Sequence, residues 1–176
     1  MITEHQVAQG TSEWHEARRG KFTGSNAYKL LGTFGASEYA KALQASFKGN
    51  YFTKRGHLLE DEAIELYEAI KRTPVSRIGF VTNDLYPDCL YSPDGLTADI
   101  VVEVKCFNEK EHRKIAGGDI PMKVLAQIHF GMLITERKAA HLVIYNPDLE
   151  PEHALKIIDV KFNKAIADNF KRILST

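Results

Sequence analysis

Cysteine is nearly missing from this chain: Cys89 and Cys106 are the only two in 176 residues. Two thiols are too few for a zinc ribbon or a four-cysteine iron–sulfur cluster. Both lie in strand-like apolar runs, so both are expected to be buried and unbridged. No apolar run approaches the ~20 residues of a membrane span. The opening MITEHQVAQG has neither the basic segment nor the apolar segment of a secretory leader, and a cytosolic location is the expectation. Internal repeats, low-complexity tracts and linkers are lacking as well, so residues 1–176 are expected to form one domain with a substantial core.

Net charge is lacking too, with 23 basic against 23 acidic residues. Bulk charge therefore gives no sign of a nucleic-acid partner, but its distribution does. From Arg18 to Arg55 stand Arg18, Arg19, Lys21, Lys29, Lys41, Lys48, Lys54 and Arg55 against the single acid Glu38, a local +7 that leaves −7 elsewhere. A basic region beside an acidic one suits a phosphate-contacting surface next to a metal site, and equally a solvated helical face.

What is present centres on Ser92–Phe107, SPDGLTADIVVEVKCF. Asp94 sits in the turn-prone Ser-Pro-Asp-Gly. Nine residues on comes Glu103-Val104-Lys105, inside a β-branched run that predicts a buried strand over 100–106. Strand alternation puts Glu103 and Lys105 on one face and Val102, Val104 and Cys106 on the other. A buried carboxylate and ammonium cost desolvation energy unless paired or bound to metal. Two carboxylates from neighbouring strands suit Mg²⁺, which keeps several waters. The metal would lower the pKa of a bound water, and the lysine would orient or deprotonate it. Taken alone, a buried Glu–Lys pair beside a turn accounts for so short a pattern better.

Around this stretch the pattern predicts a short helix from Thr11 or Ser12 to Arg19, with Gly20 behind it, and a second from Ser25 to Leu31. The link between them places a hydroxyl and free N–H groups where an anion could bind, with Arg18 in reach. A third helix is expected from Ser37 to about Phe47, broken at Gly49-Asn50. A fourth, from about Thr53 to Lys71, aligns Glu60 with Ala63, Ile64 and Tyr67, while Asp61, Glu65 and Glu68 face water. An acid in line with apolar residues is a candidate ligand or base, or else a helix-edge glutamate reaching solvent. Strands are expected over 76–82, 89–92, 140–145 and 155–160. Asn108 begins a helix to about Ala116. Pro121 opens another to about Thr135, apolar almost all round, with Gln127 one of its few polar residues. Asn163 caps a last helix, with Ala165, Ile166, Phe170 and Ile173 or Leu174 inward. The order suits a central mixed sheet covered on both sides, an α/β (α+β) fold.

Together these elements resemble the phage lambda exonuclease type, or YqaJ viral recombinase family, within the PD-(D/E)xK nucleases. The resemblance runs from about Gly10 to Asn146. It rests on Trp14-His15-Glu16-Ala17-Arg18-Arg19-Gly20, Thr23-Gly24-Ser25, Arg55-Gly56 followed by Glu60, Ser92-Pro93-Asp94-Gly95-Leu96, Glu103-Val104-Lys105-Cys106, and Gln127 before Met132. Each element is moderately specific, and their order is highly so. The resemblance implies a restriction-endonuclease-like sheet flanked by helices. It also implies a 5′-to-3′ exodeoxyribonuclease that leaves 3′ single strands for recombination.

By the same resemblance Asp94, Glu103 and the Val104 carbonyl hold Mg²⁺, with Mn²⁺ as an alternative, and Glu60 reaches a second ion or its water. Lys105 is the catalytic lysine and Gln127 assists it. Arg18 and Ser25 hold the 5′ phosphate, Ser92 lies beside the scissile phosphate, and Trp14 belongs to the DNA-binding set. Asp84 stands where the family has another acid. Implied partners are duplex DNA ends, a single-strand annealing protein and, in a ring-shaped homotrimer, further copies of the chain. The chain departs from the family in having no glycine pair between Asp94 and Glu103, and it is short for the family. The rival readings are a restriction- or repair-type endonuclease, which shares the acidic core, and an inactive DNA-binding module. Arg18 and Ser25 favour end recognition. Asp94, Glu103, Lys105 and Gln127 together favour an enzyme.

Overall fold

The computed structural model describes residues 1–45 and 54–175, with the side chains of Lys54 and Arg55 excepted. The expected helix end at Phe47, the charge of Lys48, the Gly49-Asn50 break, the helix start at Thr53 and the Lys54 and Arg55 side chains lie outside the described residues.

Strand β1 (Ile2–His5) was not foreseen; its partner is β3 (Phe80–Asn83), antiparallel and far along the chain. Helix α1 (Ser12–Arg18) starts at Thr11, whose hydroxyl accepts from the Trp14 N–H. It ends before Gly20, whose φ of +68° is the left-handed turn that glycine adopts without strain. Strand β2 (Phe22–Thr23) lies parallel to β4 (Cys89–Leu90). The next element, Gly24–Leu31, is a 3₁₀ helix, and Thr23 gives it no side-chain cap. Helices α2 (Gly35–Gln44) and α3 (Lys54–Lys71) follow. The strand expected over 76–82 is shorter: Ser76 makes only an isolated bridge to Leu96, and regular pairing begins at Phe80.

The main sheet runs β5 (Gly95–Leu96), β6 (Ile100–Lys105), β7 (Ala139–Tyr145), β8 (Leu155–Lys161). Pairing is antiparallel, then parallel, then antiparallel, so the sheet is mixed as expected. The period-two alternation of β6 decides its packing. Val102 and Val104 meet Ala63, Ile64 and Tyr67 of α3 on one side. Val101 joins Ile128, Phe130 and Met132 on the other, from α5 (Met122–Thr135). Asn108 caps α4 (Glu109–Ala116) by accepting from the Glu111 N–H at 3.0 Å. Pro151–Ala154 forms α6, a turn too short to be read from the sequence, and α7 (Lys164–Leu174) is capped by Asn163. Among the described residues no helix is long and apolar enough to cross a membrane.

Three expectations about individual side chains need correcting. Cys89 is buried, but Cys106 is exposed, because β6 ends at Lys105 and the next residue leaves the sheet. In α7 the inward position belongs to Ala167, one turn before Phe170 and two before Leu174, while Ala165 faces water. Glu68 is half-buried rather than solvated, since its carboxylate accepts from the Val75 N–H at 2.7 Å and ties down the turn after α3.

Candidate active site

Asp94 immediately precedes β5, and the β5–β6 register sets Gly95 opposite Val102. This brings the Asp94 carboxylate to the end of β6, where its Oδ2 accepts from the Val104 N–H at 2.7 Å. Glu103 projects from β6 toward α5 and is 1% exposed. Lys105, two residues on and on the same face, donates to Glu103 Oε1 at 2.8 Å. Tyr91 donates to the other oxygen, Oε2, at 2.9 Å. α5 contributes Gln127, half-buried, and α3 contributes Glu60.

These groups line one cleft of about 280 Å³. Its other walls are Arg18, Ser25, Ser92 and Trp14, so every site residue implied by the resemblance opens onto one hollow, Asp84 apart. Asp84 sits in the turn after β3, exposed, on the Met1 ammonium at 3.1 Å. The Trp14 ring is 2% exposed, so it offers the cleft little surface of its own. Its Nε1 donates to the Gly79 carbonyl at 3.1 Å and to Ser92 Oγ at 3.2 Å, and the Arg18 guanidinium stacks 4.3 Å from its ring centroid. Arg18 Nη1 donates to Ser92 Oγ at 2.9 Å. Ser25 Oγ lies 3.2 Å from Thr23 Oγ1.

The electrostatics follow from burial. Desolvation, then the nearby Glu103 and Glu60 carboxylates, holds the Asp94 carboxyl well above the usual range. Desolvation also raises Glu60, against the pull of Arg77, whose Nη2 reaches it at 3.0 Å and Asp61 at 2.8 Å. Burial works to lower Lys105, but Glu103 and Asp94 outweigh it and the net shift is upward. Burial lowers Arg18 to about 10, which leaves it a cation at neutral pH.

Among the described residues no three His, Cys, Asp or Glu side chains stand together at ligand spacing. An ion here would draw on Asp94 and Glu103 with main-chain and water oxygens, the mixture Mg²⁺ usually takes. The donors fit: burial first, and then the neighbouring Glu103 and Glu60 carboxylates, shift Asp94 upward, and a divalent cation would offset that gathered negative charge.

Three residues of importance here escaped sequence reading, and a fourth, Gly24, entered only as part of the Thr23-Gly24-Ser25 motif. Tyr91 is fully buried and gave no signal beyond its aromatic type. Gly24 carries no side chain because a Cβ there would meet the Tyr91 ring at 3.2 Å and Gln127 Cγ at 3.4 Å. Gln9 ties the segment after β1 to the Ser92-Pro93 loop through the Pro93 carbonyl, at 2.8 Å. Arg77 holds Glu60 from a segment that reads as an ordinary strand. His129, the polar neighbour of Gln127, points elsewhere. Its Nε2 accepts from the Asn163 N–H at 3.0 Å at the start of α7.

No curated protein matches the chain. Among solved structures, the alkaline exonuclease LHK-Exo from Laribacter hongkongensis matches with a TM-score of 0.81 at 24% identity, over 94% of this chain and 89% of that one. The same protein in complex with dAMP matches at 0.78 and 23% identity over the same shares. A phage related exonuclease from Haemophilus somnus 129PT matches at 0.61 and 12% identity, over 92% and 93%. These likenesses show a common fold, the nuclease-type mixed sheet flanked by helices that the sequence led us to expect. The model of the YqaJ-like viral recombinase domain matches residues 13–138. That span covers most of the chain and contains every cleft residue except Gln9, and the chain belongs to the YqaJ-like viral recombinase family.

Proposed function

We propose that this protein is a divalent-metal-dependent deoxyribonuclease that degrades one strand of duplex DNA from its 5′ end and leaves a 3′ single strand. One observation carries the reading: a single cleft joins Asp94, Glu103, Lys105 and Gln127 to Arg18, Ser25 and Ser92. The first set is what hydrolysis of a phosphodiester needs, and the second is what an end needs. Two proteins of this fold are named exonucleases, and one of them is also seen in complex with a mononucleotide, dAMP.

In the reaction a water oxygen joins phosphorus while the P–O3′ bond breaks. The water gives its proton to solvent, and the leaving 3′ oxygen takes one up. The released nucleotide keeps its 5′ phosphate, and the shortened strand begins with a new one. Asp94, Glu103 and the Val104 carbonyl would hold Mg²⁺ or Mn²⁺, with Glu60 serving a second ion. When bound, the metal polarises a phosphoryl oxygen and acidifies its water.

Burial works to lower Lys105, but in the metal-free site Glu103 and Asp94 push its pKa upward, which favours the ammonium form. It therefore orients the water and offsets charge growing on the phosphoryl oxygens, the first of the two roles open to it. Gln127 supplies an amide donor and acceptor from the rigid α5. Tyr91 keeps Glu103 in place and stays a phenol, because burial and Glu103 raise its pKa well above the ordinary value. Arg18, clamped between the Trp14 ring and Ser92, faces the terminal phosphate together with Ser25.

The test is digestion of end-labelled linear duplex and closed circular DNA, with Mg²⁺ and with chelator. Linear duplex should be shortened from its 5′ ends only, and circles should survive. Cutting of circles would favour the endonuclease reading. Digestion in chelator would remove the metal from the mechanism.

A further inference from the structure

The hollow continues past the residues proposed to hold the terminal phosphate. Arg18, Ser25 and Gln127 also wall a second trough of about 580 Å³, larger than the cleft it joins. Its lining comes from the end of α1, from the link after it, from the 3₁₀ helix, from α2 and from the first two turns of α5. Lys21, Lys29, Lys41 and Lys123 face it together with Arg18, against one acid, Glu38. Lys41 already neutralises Glu38 at 3.1 Å, and Lys21 is turned onto the Pro87 carbonyl at 2.8 Å. That leaves Lys29 and Lys123 facing the trough. Between them Tyr28 is 39% exposed, with Lys123 Nζ 5.3 Å from its ring centroid.

An exposed ring among lysines in a groove is the chemistry that holds single-stranded nucleic acid. Every base offers a face to stack, and every phosphate offers a charge. A pocket that served a terminal phosphate alone would close behind that phosphate. Among the described residues this one continues, with cations and an aromatic on the far side. We infer that the trough takes a single-stranded 5′ extension, so that the protein also trims duplexes whose 5′ strand runs past the end. The inference rests on the nuclease reading above. Arg18 then meets an internal phosphodiester, and the extension lies along Tyr28. A water oxygen joins the phosphorus in the cleft as its P–O3′ bond breaks, and the leaving oxygen takes a proton from solvent. The extension departs as an oligonucleotide ending in a 3′ hydroxyl, and the trimmed strand starts with a 5′ phosphate.

The experiment compares a duplex bearing a short 5′-labelled oligothymidine extension with a blunt 5′-phosphorylated duplex. Native protein is set against a variant carrying Tyr28→Ala, Lys29→Glu and Lys123→Glu, with equal melting temperatures checked first. Native protein should release the label as an oligonucleotide. The variant should lose roughly tenfold or more on the extended duplex, since one stacked base and two phosphate contacts go, while the blunt duplex is digested at the native rate. Release of the label as a mononucleotide from the start would overturn the inference, because the trough would then be a product exit. Equal losses on both duplexes would overturn it too. If native protein digests neither duplex, the nuclease reading has failed, and the trough is judged by binding of fluorescent oligothymidine in chelator. Weaker binding by the variant would then support it, and equal binding would reject it.

Discussion

Tyr91 donates to Glu103 Oε2 at 2.9 Å while Lys105 donates to Glu103 Oε1 at 2.8 Å, so both oxygens of a buried carboxylate are satisfied by the protein itself. The ring that makes the first bond fits because helix α5 has Gly131 beside it. A Cβ at Gly131 would stand 2.4 Å from Tyr91 Cζ. Tyr91→Phe keeps the packing and removes only the donor. It should lower metal-free stability by about 1–3 kcal/mol, the cost of leaving a buried acceptor short of a partner. Denaturant midpoints with chelator measure this. An unchanged midpoint would mean that the bond adds nothing to the fold.

Asp94 predicts a pH dependence of opposite sign to that of most carboxylates. Its folded pKa is raised, by burial first and then by Glu103 and Glu60. The folded state therefore binds the proton more tightly than the unfolded chain does. Stability from this group is fully present below the unfolded value, about 3.9. It is lost as pH rises through the folded value. Metal-free Asp94→Asn should accordingly melt higher than native protein at neutral pH and show little gain near pH 3. The amide oxygen can still accept from the Val104 N–H. The same variant should lose cleavage. A lower melting temperature at neutral pH would show Asp94 to be a structural partner rather than a site of stored repulsion.

Much of this was legible because the central strand advertises itself. Ile100–Lys105 is a short β-branched run that reads as a buried strand, so Glu103 and Lys105 had to share a face, and the turn at Ser92-Pro93 had to deliver Asp94 nearby. The illegible parts are those fixed by distant partners. The segment Ile2–His5 has no strand pattern of its own and pairs with residues almost eighty positions away. The β2–β4 pair is two residues long. The element after Thr23 has helical residue types, which do not distinguish 3₁₀ from α. Tyr91 could not be tied to Glu103 before Gly24 and Gly131 were seen to make room for its ring.

Lys105 offers a test of role rather than presence. If its ammonium offsets charge on the phosphoryl group, Lys105→Gln should cost roughly 100- to 1000-fold in kcat with little change in KM. If Lys105 acts as the ammonium that the metal-free site favours, the rate should hold level across neutral and mildly alkaline pH. A rate that climbs with a lysine-like ionisation would instead make the neutral amine the base.

On the proposed function, the polarity of digestion is expected to turn on Arg18. Its guanidinium lies 4.3 Å from the Trp14 ring centroid and donates to Ser92 Oγ at 2.9 Å, so packing fixes its direction before any substrate arrives. Burial lowers its pKa only to about 10, and it is charged at neutral pH. A terminal phosphate carries more charge than an internal diester, so a buried cation prefers the end. Ser25, exposed at the start of the 3₁₀ helix, adds a hydroxyl. Charge-assisted hydrogen bonds of this kind contribute about 1.5–3 kcal/mol each. Arg18→Ala should therefore cost roughly 10- to 100-fold on 5′-phosphorylated duplex. Duplex with a 5′ hydroxyl should be a poor substrate for native protein and little changed by the mutation. Trp14→Phe, which removes the indole donor to Ser92 and keeps an aromatic ring at the same position, should give a smaller loss on the same substrate. Equal rates of native protein on the two kinds of end would mean that Arg18 holds the fold together and reads no phosphate.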